Sequence, residues 1–146
     1  MRIAVLNGPN LNLLGTREPA LYGRETLADV ERRLTALARE LGAEIEFAQH
    51  NGEGQLIDTV HTWRGRVHAA IVNAGAYSHS SLALRDALVG VEVPFVEVHV
   101  TNVYAREPER RHSMLAPAAV GVVCGLGTVG YDLALRGLVA RLSARA

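Results

Sequence analysis

Short apolar runs alternate with amphipathic stretches along the whole chain. Four runs of β-branched or otherwise apolar residues, at 3–6, 69–72, 94–98 and 120–124, stand between polar turns, and a weaker one spans 44–48. Their length and composition predict five buried strands. After the first run, Leu27, Val30, Leu34, Leu37 and Leu41 share one face of a helix that Thr26 and Asp29 open as a capping box and Gly42 closes. Weaker helical patterns occupy 54–63, 80–89 and 129–142. Regular alternation of strand and helix predicts an α/β fold, a doubly wound parallel sheet with helices on both faces.

Five strands suit a flavodoxin-like order, which places ligands beyond the carboxyl ends of the strands at the switch point. The two longest irregular segments, 8–25 and 99–118, follow strands and are long enough to be functional rather than mere connections. The first is a polar, glycine-bracketed loop with Asn7, Asn10 and Asn12, and with Arg17 five residues before Tyr22. The third strand runs into Asn73, Tyr77, His79, Ser80 and Ser81 at the entry to a helix, a setting suited to an oxygen-rich or anionic ligand. The fourth ends at Glu97, Val98 and His99, and strand alternation puts the carboxylate and the imidazole on one side, so that His99 is a candidate acid. Beyond it Arg106, Arg110 and Arg111 gather near the same edge, suited to a carboxylate. The expected ligand is a small hydroxylated anion.

Composition narrows the chemistry. At 146 residues and 49% hydrophobic the chain reads as a single catalytic domain, 1–146, able to bury a core. Fifteen basic residues balance fifteen acidic ones, which gives no field to attract nucleic acid. No apolar stretch reaches membrane-span length and no secretory leader precedes the first strand, so a cytoplasmic location is expected. The basic residues are all arginine; without lysine no lysine Schiff base can form. Cys124 is the lone cysteine and sits in an apolar run, where a buried thiol is expected rather than a nucleophile.

Several segments in order resemble the type II 3-dehydroquinate dehydratases: Asn7-Gly8-Pro9-Asn10 with Leu14-Gly15, Arg17-Glu18-Pro19 and Tyr22-Gly23; Asn73-Ala74-Gly75; and His79-Ser80-Ser81 with Arg85-Asp86. The match continues through Glu97-Val98-His99, Asn102-Val103, Ala105-Arg106-Glu107, Arg111-His112-Ser113 and the closing Gly125-Leu126-Gly127 with Gly130-Tyr131. Thr101, Tyr104 and Glu109 depart mildly from the family's usual residues.

The resemblance implies dehydration of 3-dehydroquinate to 3-dehydroshikimate in the shikimate pathway, by anti elimination through an enolate, with no cofactor and no metal. It makes Tyr22 the base, Arg17 the charge that ionises it, His99 the acid, Glu97 its orienting partner and Asn10 the holder of a water against the enolate. A free phenol is ionised to roughly one part in a thousand at neutral pH, so the base needs such a partner. By the same likeness Asn73, His79, Asp86, Arg110 and the amides of Val100 and Thr101 bind substrate. A lid spans about 14–24, and Asp86 serves a neighbouring subunit in a dodecamer built as a tetramer of trimers.

Blander readings apply elsewhere. Gly125, Gly127 and Gly130 fit G-x-G-x-x-G, but too little chain follows for the rest of a dinucleotide-binding unit, so a packing turn is expected. His50, His61 and His68 are expected to pack or face solvent, and none of the histidines shows compact metal-ligand spacing. Leu56, Val60 and Trp63 recur at helical spacing as core or, slightly favoured by the family's assembly, subunit contact. The rival functional reading is a flavodoxin-like binding or signalling module that holds a nucleotide or flavin at the same sheet edge.

Overall fold

The structure is a computed structural model that describes residues 1–16 and 18–145, leaving aside the side chains of Leu21 and Tyr22. Five parallel strands, β1 (Arg2–Asn7), β2 (Glu44–Gln49), β3 (Ala69–Asn73), β4 (Phe95–His99) and β5 (Gly121–Cys124), form one sheet in the order β2-β1-β3-β4-β5. Helices α1 (Pro19–Tyr22), α2 (Leu27–Glu40), α3 (Glu53–His61), α4 (Leu82–Gly90) and α5 (Val129–Ala144) connect and cover it. This is the doubly wound, flavodoxin-like arrangement expected from the alternation of patterns.

Strand alternation divides the interior into two layers. Ile3 and Val5 of β1 and Ile71 of β3 pack with Val30 and Leu34 of α2 and with Leu135 and Leu138 of α5. Ala4, Leu6, Ala70 and Val72 face the other way, onto Leu56, Val60 and Trp63, and onto Leu84 and Leu88 of α4. Burial on both faces explains why the central strands read as continuous apolar runs rather than alternating ones. Trp63 is 1% exposed within the single chain, so it is core and the inclination toward a subunit contact is corrected.

The element ends differ from the sequence reading for local reasons. The fourth strand begins at Phe95 because Pro94 has no N–H to give the ladder; its carbonyl still accepts from Ala70. The Thr26–Asp29 capping box forms in both directions, at 3.0 and 3.2 Å. The long segments 8–25 and 99–118 are not structureless: single 3-10 turns at Leu11–Leu13, Val103–Ala105, Pro108–Arg110 and Ala116–Ala118, together with α1, subdivide them. No helix among the described residues is long and apolar enough to cross a membrane.

One polar contact joins the two central strands to the last helix. The fully buried Tyr131 of α5 donates its hydroxyl to Asn7 Oδ1 at the end of β1 (2.5 Å), and Asn73 Nδ2 at the end of β3 donates to that hydroxyl (2.8 Å). Burial pushes the Tyr131 phenol far above its ordinary pKa, so it stays neutral and able to donate. Tyr131→Phe deletes one hydroxyl and leaves two buried amides short of a partner. We expect a loss of about 1–3 kcal/mol in urea unfolding; a midpoint and slope equal to wild type would show the contact to be dispensable.

Candidate active site

The sheet's order reverses between β1 and β3, and a cleft opens beyond the carboxyl ends of β1, β3 and β4. It encloses about 570 Å³, open in part to solvent, and its lining includes Asn10, Asn73, His79, His99, Val100, Thr101, Arg106 and Arg110. Residues distant in sequence meet there because parallel strands deliver their ends to one edge.

His99 ends β4 and is 6% exposed. On the same strand face Glu97 takes a hydrogen bond from its Nε2, and Ser113 donates its hydroxyl to the same carboxylate at 2.7 and 2.9 Å. Glu97 is 1% exposed, so these partners replace the water it has lost. With Nε2–H held by a carboxylate, Nδ1 becomes the nitrogen that can take up or release a proton. Ser113 also accepts from the amides of Leu115 and Ala116, at 3.1 and 3.0 Å, which locks it to the following turn.

The ring of His79 stacks on that of His99, with centroids 5.8 Å apart and planes 18° off parallel. His79 Nδ1 donates to the carbonyl of His112 (2.8 Å), which makes Nε2 the acceptor of the neutral ring. Burial, followed by the nearby charges of His99 and Arg110, holds its pKa below the ordinary value despite the favourable bond to His112. A neutral His79 can accept a hydrogen bond from a ligand hydroxyl without placing a second cation beside His99.

Asn10 sits at the left-handed backbone position φ 68°, which asparagine tolerates better than most residues. Its amide donates to Asn51 Oδ1 (3.0 Å), which also accepts from Gln49 Nε2 (3.1 Å). Gly8 is required beneath this loop, since a Cβ there would lie 2.3 Å from the carbonyl oxygen of Ala74. Asn73 lines the cleft, but its side chain also supports the fold: Nδ2 donates to Tyr131, and Oδ1 accepts from the amide of Gly75 (3.2 Å).

Of the three arginines expected at this edge, Arg106 and Arg110 line the cleft. Arg111 does not; its Nε donates to the carbonyl of Arg106 (2.9 Å) and braces the loop. Arg110 is paired with Glu107, which orients it. Asp86 stands apart, exposed in a wider hollow of about 970 Å³ between α3 and α4, with His61 and Arg64. Arg17 lies outside the described residues, as does the side chain of Tyr22. Among the described residues no group of three or more His, Cys, Asp or Glu is placed to hold a metal.

Sequence reasoning missed Ser113, Asn51, Asn7 and the supporting role of Tyr131. Asn7, Ser113 and Tyr131 carried a signal, as members of the family-like segments, but no segment indicates what the side chain contacts; Asn51 carried none. Half-buried His50 bonds Thr59 Oγ1 (3.0 Å), and His68, exposed, accepts from the amide of Arg2 (2.9 Å). Gly125 and Gly127, at φ 88° and 70°, form the turn before α5. Their amides donate to the carbonyls of His99 (3.3 Å) and Val100 (3.0 Å).

The family described as dehydroquinase class II matches residues 1–139. A 3-dehydroquinate dehydratase from Gemmatimonas aurantiaca is 61% identical over 142 residues, covering 97% of this chain and 93% of that one. One from Synechococcus sp. strain WH7803 is 56% identical, covering 97% of each. Among solved structures, a type II dehydroquinase from Propionibacterium acnes superposes with a TM-score of 0.91 at 41% identity, over 95% of this chain and 96% of that one.

The depressed pKa of His79 has a definite sign for stability. A group whose folded pKa lies below its unfolded value of 6.5 contributes stability that is fully present above 6.5 and is lost as pH falls through the folded value. Thermal melts from about pH 7 to about pH 5 should therefore show a steeper loss for wild type than for His79→Asn. Parallel slopes would remove His79 as a source of acid sensitivity.

Proposed function

The chain belongs to the class II dehydroquinase family, and we propose on that premise that it dehydrates 3-dehydroquinate to 3-dehydroshikimate in the shikimate pathway, as one catalytic domain. The observation that carries the reading is the buried Glu97–His99 pair at the carboxyl end of β4, in a cleft that Arg106 and Arg110 make cationic.

The substrate is a small hydroxylated carboxylate, which matches the cleft. Arg110 and the amides of Val100 and Thr101 take its carboxylate, while Asn73 and neutral His79 meet its hydroxyls. Tyr22, ionised by Arg17, removes the proton from the carbon beside the ketone. Charge then collects on the former carbonyl oxygen, where Asn10 holds a water against the enolate. In the second step His99 delivers a proton to the departing hydroxyl on the opposite face, and Glu97 supports the imidazolium before transfer and keeps the ring oriented afterwards. Water leaves, and the enone forms. This sequence uses no cofactor or metal.

The lid, 14–24, closes this chemistry from above. The chain acts as a dodecamer, a tetramer of trimers in which Asp86 reaches a neighbouring cleft; its exposed position away from its own cleft supports that role. Exposed apolar side chains at Leu82 and Val89 on α4, and at Leu126, Val129 and Leu133 around the start of α5, supply surfaces for such an assembly.

The purified chain should convert 3-dehydroquinate to a product with the ultraviolet absorbance of a conjugated enone, unaffected by chelators; no conversion by a folded oligomer would overturn the reading. Tyr22→Phe and Arg17→Ala should each lower kcat by about 10²–10⁴-fold with assembly intact. Near-normal turnover in Tyr22→Phe would reject it as the base. His99→Ala should slow loss of the hydroxyl more than exchange of the carbon-bound proton, and wild-type turnover would remove His99 from the mechanism.

A further inference from the structure

The segment that carries Tyr22 is pinned at its far end by a charged cluster that the reaction itself does not use. Helix α1 ends at Tyr22, Gly23 turns the chain, and Glu25 follows before the cap of α2. The carboxylate of Glu25 accepts from the hydroxyl of Thr128, the residue that caps α5, and pairs with Arg33 of α2. Arg33 reaches further: Nε bonds both oxygens of Asp132 at 3.0 and 2.9 Å, and Nη2 bonds Asp132 Oδ1 at 2.8 Å and the carbonyl of Thr128 at 3.1 Å. One guanidinium thus joins the end of the lid segment, the helix after it and the first turn of α5.

Two close backbone approaches complete the clamp. Gly15, at φ 90°, lies so near the other end of the segment that a Cβ there would come within 2.7 Å of the carbonyl oxygen of Arg24. The two ends of 15–24 are therefore pinched together. The turn before Thr128 bonds to the end of β4, through Gly125 to the carbonyl of His99 and through Gly127 to that of Val100. The glycine-rich turn that resembles a dinucleotide motif is tied to protein at both ends: its glycine amides bond the end of β4, and Thr128 at its close bonds the carboxylate of Glu25.

We propose that Arg33 and Glu25 are positioning residues for the dehydration, fixing the backbone that presents Tyr22 relative to the strand end that presents His99. This rests on the reading of Tyr22 as base and His99 as acid. Anti elimination needs the two groups on opposite faces of one substrate, and a misplacement of about 1 Å can cost on the order of 10²-fold. The two groups belong to elements far apart in sequence, and this cluster ties the end of one backbone segment to the turn that bonds the other. Arg33 is about one-third exposed and its partners are partly so, which suits a clamp that sets geometry more than overall stability.

The test compares Glu25→Gln, Arg33→Met and Arg33→Lys with Arg66→Met, which removes a comparably exposed ion pair with Glu46 away from the cleft. Each is assayed as the assembled protein, with folding checked by circular dichroism. Glu25→Gln and Arg33→Met should lower kcat/KM by about ten- to a hundredfold, mostly through kcat. Arg33→Lys should recover part of the loss, and Arg66→Met should match wild type. With substrate deuterated at the carbon beside the ketone, the isotope effect should be as large as in wild type or larger, because the base is the group displaced. Trypsin should cut after the exposed Arg24 several-fold faster in the two clamp variants.

Turnover within twofold of wild type in folded Glu25→Gln and Arg33→Met would overturn the proposal, as would an isotope effect that shrinks toward unity. Failure of the base assignment is separately visible, since Tyr22→Phe would then stay active. In that event faster cleavage after Arg24 in the clamp variants, with turnover within twofold of wild type, would reject their positioning role in the dehydration.

Discussion

The hydroxyl of Tyr131 is the point at which the fold becomes a site. Parallel strands β1 and β3 stay paired to their last residues, and from there the chain passes to opposite faces of the sheet, so the side chains at the switch point need a common anchor. Asn7 and Asn73 are paired across the two strands, and both reach the same phenol. The phenol comes from a helix on the opposite end of the chain, so the contact also seats α5 against the centre of the sheet. Because α5 carries the glycine-rich turn on its N-terminal side, the end of β4 is fixed by the same helix. The cleft is thus bounded by strand ends whose mutual positions descend from one buried polar contact.

Above that frame the electrostatics are arranged in opposite senses within a few ångströms. Glu97 gives His99 a negative neighbour on one nitrogen, while stacked His79 is held toward the neutral form by burial and by the nearby charges of His99 and Arg110, against the bond its Nδ1 gives the His112 carbonyl. Two identical residue types therefore sit in different surroundings, one bonded to a carboxylate and the other to a backbone carbonyl. Arginines rather than lysines supply the cationic rim, and a guanidinium retains its charge under all ordinary conditions. In such a cleft the proton-bearing groups can change state while the charges that hold the ligand stay constant.

Much of this was legible in the sequence, and the reasons are physical. Strands buried on both faces and helices with a single apolar stripe leave strong, different periodicities, so the order of elements could be read with only small errors at their ends. Glu97 and His99 were placeable because two-residue spacing on a strand is enough to put side chains on one face. The family-like segments brought Asn10, Asn73, His79 and Arg110 to the same cleft, as the fold requires. Long-range polar contacts carry no such period: Tyr131 and Asn7 are 124 residues apart, and nothing local marks either as buried. Arg33 is similar, since on a helical surface it has the pattern of a solvated charge while its partners lie 8 and 99 residues away. Arg111 went the other way, because three arginines in a run do not reveal which of them turns back on the loop.

The bonding of Glu97 makes the cleft part of the molecule's structural skeleton. Its carboxylate is almost wholly excluded from solvent and depends on the His99 ring and the Ser113 hydroxyl for its partners. An imidazole lost at His99 leaves a buried anion half satisfied, a penalty that falls on every folded copy whether or not substrate is ever present. Under the acid role proposed for His99, selection for a durable protein and selection for a working one act on the same side chain. Variation that drifts freely through the solvent-facing helices meets two independent barriers here, and an engineer seeking new chemistry in this cleft would have to replace Glu97 and His99 together.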